Sequence, residues 1–266
     1  MKVLIIGSGN MGKTYAKSFL ASRFIYAHDL YILDKNREHT ATIPEIPSAN
    51  IHYQAGNFIG QADIIILAVK PQDFAALAQQ IKPYILPEQL ILSIMAGIKM
   101  ETITHLLGTR KIIRSMPNLP AQVGMGTTVF TSSPEIDKKE LFIIQNLINT
   151  TGKSVYVEDE NMIDAATAIS GSGPAYVYYF MDAMIKAGIK MGFTPSQAEL
   201  LVNQTFMGAA HLHNQSQLSC EQWIDRVASK GGTTEAAIKV FNATAVNTEI
   251  EAALFAALQL AKELGS

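Results

Sequence analysis

Met1-Lys2-Val3-Leu4-Ile5-Ile6-Gly7-Ser8-Gly9-Asn10-Met11-Gly12 is the stretch on which the fold turns. Four aliphatic residues, Val3 to Ile6, run directly into glycines spaced GxGxxG, and a helical pattern opens at about Asn10. Glycines at this spacing recur in many loops, so context decides what they mean. Here a strand precedes them and a helix follows. Asp34 then stands 22 residues beyond Gly12, at the end of the next apolar run. In such a unit Gly7 permits the tight turn, Gly9 lets the backbone approach a diphosphate, and Gly12 lets helix and strand pack closely. The helix start at Asn10, Met11 and Gly12 offers unpaired N–H groups and the positive end of a dipole to that anion. A dinucleotide is the expected ligand; the competing reading is a tight strand-to-helix turn serving another ligand.

Asp34 is placed to accept hydrogen bonds from the adenosine ribose, which favours NAD, because a carboxylate repels a 2′-phosphate. Lys35, Asn36 and Arg37 pull the other way, since a cation just past the strand can pair with that phosphate. Cofactor choice is open on these residues alone.

Outward from this unit, short β-branched runs at 3–6, 30–34, 63–69, 90–94, 111–115 and 153–157 alternate with helical patterns. Alternation of this kind predicts a parallel sheet with helices on both faces. Ile64-Ile65-Ile66-Leu67-Ala68-Val69 is apolar throughout, as suits a strand buried on both sides. It ends in Lys70-Pro71, at the carboxyl edge where open α/β sheets bind ligands. Lys70 reads as a contact residue or as a solvated loop lysine. Later strand ends at Ser93-Ile94-Met95-Ala96-Gly97 and Arg114-Ser115-Met116-Pro117-Asn118 are expected to face the same crevice. The Asn118 amide suits a carboxamide or a local turn cap.

After Glu158-Asp159-Glu160 the strand pattern stops and Ala, Met, Leu and Gln recur at helical spacing. The reading is an α/β dinucleotide-binding domain over 1–158 and an all-helical domain of about six helices over 159–266. Thr194-Pro195 and Ser219 read as helix starts. Tyr176, Tyr179, Phe180 and Met184 lie around more than one face of their helix, which predicts burial on several sides, with a core completed against a second copy. Ser229-Lys230-Gly231-Gly232-Thr233-Thr234 places two glycines and two hydroxyls before a helix, an arrangement fitted to an anion such as a substrate carboxylate.

Of the 266 residues, 48% are hydrophobic and 17% charged, which supplies a sizeable core and hints at self-association. A formal net charge of −2 and no basic run leave nucleic acid and anionic membranes without an electrostatic footprint. Cys220 is the single cysteine, which fits a reducing compartment, the cytoplasm by default. The opening apolar run stops at Gly7, shorter than a signal peptide of about 7–15 apolar residues requires, and no run of about 18 spans a bilayer. His211 and His213 sit two apart, unlike a metal-binding i,i+4 pair, and His28, His39, His52 and His105 are expected to be exposed; no metal site is expected.

Taken in order, the GxGxxG unit, Ala68-Val69-Lys70-Pro71, Arg114-Ser115-Met116-Pro117-Asn118, the run Ser170 to Tyr176 and Gly231-Gly232-Thr233-Thr234 resemble the pyrroline-5-carboxylate reductase family across nearly the whole chain. The resemblance implies reduction of 1-pyrroline-5-carboxylate to L-proline, the last step of proline synthesis, with NADPH or NADH. It implies a Rossmann domain followed by a helical dimerisation domain, and a homodimer, sometimes built into larger rings, with the substrate site at the interface. It also implies Thr234 as the proton donor or relay to the ring nitrogen, and Ser229, Gly231, Gly232 and Thr233 as the carboxylate site. The chain departs from the family pattern at Lys230, where proline is usual, and at Leu119, where threonine is common. A different class, the 3-hydroxyacid-type dehydrogenases, shares the domain order and would require a lysine acid/base in the helical half, where Lys186 and Lys190 lie on an amphipathic helix. A non-catalytic nucleotide sensor is the third reading.

Overall fold

The computed structural model describes residues 1–264. Its elements run β1 (Val3–Ile6), α1 (Asn10–Ala21), β2 (Leu30–Leu33), α2 (Arg37–Thr40), β3 (Ile51–His52), β4 (Ile64–Leu67), α3 (Pro71–Ile81), β5 (Leu90–Ser93), α4 (Met100–Leu107), β6 (Ile112–Met116), β7 (Gly126–Ser132), α5 (Lys138–Asn149), β8 (Gly152–Tyr156) and α6 (Asn161–Ala166). A π-helical turn (Thr167–Gly171) then leads into α7 (Gly173–Lys190), α8 (Pro195–Asn214), α9 (Cys220–Val227), α10 (Thr233–Ala243) and α11 (Val246–Glu263). Two compact units result: Met1–Pro174 together with the chain from Ala257, and Ala175–Ala256.

The first unit is built on an eight-stranded sheet in the order β3-β2-β1-β4-β5-β6-β7-β8. The first six strands are parallel, β7 runs antiparallel to β6, and β8 returns parallel to β7. The expectation of a parallel sheet therefore needs one correction. β7 was not among the predicted strands, because Gly126-Thr127-Thr128-Val129-Phe130-Thr131-Ser132 is half hydroxyl residues and lacks the aliphatic run of its neighbours. Chain direction out of β1 fixes the crevice: β2 lies on one side of it and β4 on the other, so the connections leave in opposite directions and open a gap at its carboxyl end.

Successive strand residues point to opposite faces, and both faces are covered. Val3, Ile5, Ile32 and Ile66 pack with Tyr15 and Phe19 of α1 and Ile144, Leu147 and Ile148 of α5. Leu4, Ile6, Ile65 and Leu67 pack with Phe74, Ala78 and Ile81 of α3 and Ile103 and Leu107 of α4. Each such side chain contributes about 1.5–3 kcal/mol on burial.

One charged cluster interrupts this core. Arg114, in the middle of β6 and fully buried, donates to Asp164 of α6 at 2.6 Å and to Glu160 at 3.2 Å, and Glu160 also accepts the Met100 amide at 2.8 Å. The cluster ties α6 to the sheet. The Arg114 Nε has no partner among the described residues, so the guanidinium depends on these carboxylates for its compensation.

The second unit contrasts with the first. Within Ala175–Ala256 only Ala198 and Val202 are buried. Tyr176 and Met184 are half-buried or exposed and Tyr179 is 75% exposed, so the expected burial on several sides is not met within one chain. Helix starts follow the sequence reading: Thr194 and Ser219 each form reciprocal capping boxes, with Gln197 and Gln222. No described helix is long and apolar enough to cross a membrane.

Asp164→Ala should lower unfolding free energy by about 3–5 kcal/mol, because it strands a buried guanidinium. Urea denaturation at one fixed chain concentration measures this, and a loss under about 1 kcal/mol would show that Arg114 finds compensation elsewhere.

Candidate functional site

At the carboxyl end of β1 the chain turns through Gly7 at φ +94°, with its N–H on the Leu33 carbonyl at 2.8 Å. A Cβ there would meet the Ala68 carbonyl at 2.8 Å, and one on Gly12 would run into the Gly7 carbonyl itself. Gly9 differs: nothing lies within 4 Å of where its Cβ would project. Gly9 is the N-cap of α1 and supplies no side-chain cap. The amides of Gly9, Asn10, Met11 and Gly12 accordingly have no partner among the described residues, an open row of donors at a helix start.

This turn borders a cleft of about 470 Å³ lined by Gly7, Gly9, Asp34, Lys35, Asn36, Ala68, Val69 and Lys70. Eight of the expected cofactor residues are thus brought to one place. His39, Tyr53, Gln54, Asp73 and Gln80 line it too, and sequence reasoning did not find them. Tyr53 follows β3, a strand of two residues that is too short to leave a periodic pattern.

Asp34 closes the cleft floor. Its carboxylate accepts from the Ser8 amide at 2.6 Å, the Ser8 hydroxyl at 2.8 Å, the Asn36 amide at 2.8 Å and His39 at 3.1 Å. Burial pushes its pKa up, but the hydrogen bonds from Asn36, Ser8 and His39 outweigh that and hold it below the ordinary aspartate value. Asn36 turns its side chain to cap α2, accepting the Glu38 amide at 2.9 Å. Lys35 is 3.9 Å from Asp73, and the Arg37 guanidinium lies 4.6 Å over the Tyr53 ring. Two cations therefore stand at the rim.

The remaining expected residues do not line the cleft. Asn10 and Met11 begin α1, Pro71 is the first residue of α3, and Ala96 sits half-buried beyond β5. Asn118 spends its amide within the protein: its Nδ2 donates to the Ser170 carbonyl at 3.1 Å, and its Oδ1 accepts the Thr127 amide at 2.8 Å. It braces the π-helical turn against β7. His52 corrects another expectation: it is half-buried, stacked on Phe58 with ring centroids 3.6 Å apart.

In the helical unit Ser229, Gly231, Gly232, Thr233 and Thr234 lie together at the start of α10. Gly231 adopts φ +74° and gives its N–H to Glu235 at 2.5 Å, and Gly232, the N-cap, gives its own to the Ser229 carbonyl at 2.9 Å. The Gly231 N–H, followed by Lys239 at 3.1 Å, lowers the Glu235 pKa. The Thr233, Thr234 and Glu235 amides remain without partners among the described residues. Lys186 pairs with Asp182 at 2.5 Å on an exposed helix face, and Lys190 is exposed.

Six parallel strands in this order, a glycine turn whose amides have no partner among the described residues and an acidic residue just after β2 define the Rossmann class of dinucleotide-binding proteins. Residues 160–264 match the family model described as pyrroline-5-carboxylate reductase dimerisation, and residues 2–97 match that described as NADP oxidoreductase coenzyme F420-dependent. The chain is 35% identical to the pyrroline-5-carboxylate reductase of Pseudomonas aeruginosa, over 99% of this chain and 96% of that protein. Among solved structures, a pyrroline-5-carboxylate reductase from Coxiella burnetii matches with TM-score 0.88 and 31% identity, covering 100% of this chain and 98% of that one. The Plasmodium falciparum pyrroline carboxylate reductase, with NADP bound, matches with TM-score 0.87 and 29% identity over 100% and 98%. The chain belongs to the pyrroline-5-carboxylate reductase family.

Gly9→Ala should leave thermal stability unchanged, because its methyl meets only open space, yet weaken binding of a reduced nicotinamide dinucleotide about tenfold or more by fending off the diphosphate. Fluorescence titration of the cofactor reads this directly. Unaltered affinity would remove the turn from cofactor binding.

Proposed function

We propose that this protein reduces 1-pyrroline-5-carboxylate to L-proline with NADPH, the final step of proline biosynthesis. The observation that carries the reading is the cleft beneath the glycine turn, in a chain that is 35% identical to a pyrroline-5-carboxylate reductase over 96% of that protein's length. The dinucleotide lies across Gly7, Gly9, Asn10, Met11 and Gly12, with its adenosine end at Asp34, Lys35, Asn36 and Arg37 and the rest along Ala68, Val69, Lys70 and Pro71 towards Ala96 and Asn118. NADPH is favoured by the two rim cations, which suit a 2′-phosphate.

When bound, the reduced nicotinamide supplies a hydride to the C=N carbon of the cyclic imine. The nitrogen ends as a secondary amine and NADP⁺ is released. The protein's contribution is to hold and orient: free amides at Thr233 and Thr234 receive the substrate carboxylate, and Ser229, Gly231 and Gly232 shape the turn that presents them. Thr234 bonds the ring nitrogen and supplies or relays its proton. That role rests on the family pattern and on a hydroxyl that no group among the described residues engages. Lys230 adds a positive charge beside an anionic substrate.

The functional unit is a homodimer formed through the helical half, whose sequence boundary we place near residue 158. Exposed apolar residues such as Tyr179, Met191 and Leu200 supply the surface. Larger rings of dimers extend the same proposal. A reducing compartment, the cytoplasm, suits the single exposed Cys220.

Oxidation of NADPH and NADH by the purified protein with 1-pyrroline-5-carboxylate tests the reading. Proline should form with both and faster with NADPH, and replacing Lys35 and Arg37 by alanine should erase that preference. No proline from either cofactor, with cofactor binding intact, would discard the substrate assignment. Thr234→Val should lower kcat/KM about 100-fold while cofactor affinity is unchanged. Wild-type turnover in that variant would take Thr234 out of the proton path.

A further inference from the structure

Asp34 occupies the place from which a carboxylate ordinarily reads the ribose, but most of its acceptor capacity is taken up within the protein. A carboxylate has about four acceptor positions. Oδ2 receives the Ser8 amide, the Ser8 hydroxyl and His39, and Oδ1 receives the Asn36 amide. The side chain is only 9% exposed. Ser8 is itself 1% exposed, so its amide and hydroxyl are withdrawn from any ligand. Immediately after Ser8 begins the row of unpartnered amides from Gly9 to Gly12. Before it stands Gly7, held at φ +94° and bonded to Leu33, the last residue of β2.

We infer that Asp34 is a positioning residue that clamps Ser8, so that the amides from Gly9 to Gly12 are presented to the diphosphate, and that it does not discriminate a ribose 2′-hydroxyl from a 2′-phosphate. The inference rests on reading the cleft as a dinucleotide site. The diphosphate is common to NADPH and NADH, so loss of the clamp weakens both alike. Discrimination is left to the two exposed cations of the same segment, Lys35, 3.9 Å from Asp73, and Arg37, over the Tyr53 ring, which stand at the rim where a phosphate would lie. A carboxylate that read the ribose would behave in the opposite way: its removal would favour NADPH over NADH.

The test is binding of NADPH and NADH, by fluorescence titration, to the wild-type protein, Ser8→Ala, Asp34→Ala and the double variant. Each single substitution should raise both Kd values, for Asp34→Ala by about tenfold or more, with the ratio of the two Kd values unchanged within about threefold. The double variant should bind no worse than Asp34→Ala alone, because the hydroxyl bond that Ser8→Ala removes is one of those already lost with the Asp34 carboxylate. A ratio that moves towards NADPH by tenfold or more on removing Asp34, or effects of the two substitutions that simply add, would overturn the clamp. If Asp34→Ala does not fold, Ser8→Ala decides by itself: parallel weakening supports the clamp, and unchanged affinity refutes it. Failure of the wild-type protein to bind either cofactor would instead defeat the dinucleotide reading of the cleft.

Discussion

The backbone of α1 rests on the turn that follows β1, and the Gly7 carbonyl fills the space that a side chain at residue 12 would need. Much else depends on this contact. Closeness of helix and turn puts the first amides of α1 at the sheet edge, where β1 has β2 on one side and β4 on the other and the crevice opens. A larger residue at position 12 would lever the helix away and one at position 7 would press on Ala68 and Val69, so the cleft bounded by Gly7, Gly9, Asp34 and Val69 would lose its wall either way. The isoleucine- and leucine-rich strands then serve as ballast. They bury enough apolar surface on both faces to hold a turn whose own backbone is unfavourable for any residue but glycine.

Much of this was legible in the sequence because the determinants are local. The run Val3 to Ile6, the glycine spacing and the helix start at Asn10 lie within one segment, and the strand Ile64 to Leu67 announces itself by composition. What was not legible depends on residues far apart in the chain. Ser8 and Asp34 are 26 positions apart, and nothing in either neighbourhood says that one will bind the other. Asn118 carries an amide suited to a ligand, but Thr127 and Ser170, from two other segments, engage it. β7 and β3 escaped for different reasons, one because hydroxyl residues dilute its pattern and the other because two residues make no pattern.

Glycine is the N-cap residue of two helices, α1 and α10. Four other helices start with a side-chain solution: Asn36 caps α2, and Asp137, Thr194 and Ser219 each close a reciprocal box over the first amides of α5, α8 and α9. α1 opens on Gly9 and α10 on Gly232, and neither has a side chain to offer. Their first amides have no partner among the described residues. The same residue type gives close approach and an uncapped helix start, and both loops stand out in the sequence by their glycines.

The near absence of buried side chains between Ala175 and Ala256 has a thermodynamic consequence. A helical segment that buries only Ala198 and Val202 within its own chain cannot offset the conformational entropy of its ordering, which is about 1–2 kcal/mol per residue for the backbone alone. The missing free energy has to come from mass action. Folding of this half is then a bimolecular event whose midpoint temperature rises with chain concentration, and a dilute monomer would hold its nucleotide-binding half while its helices melt.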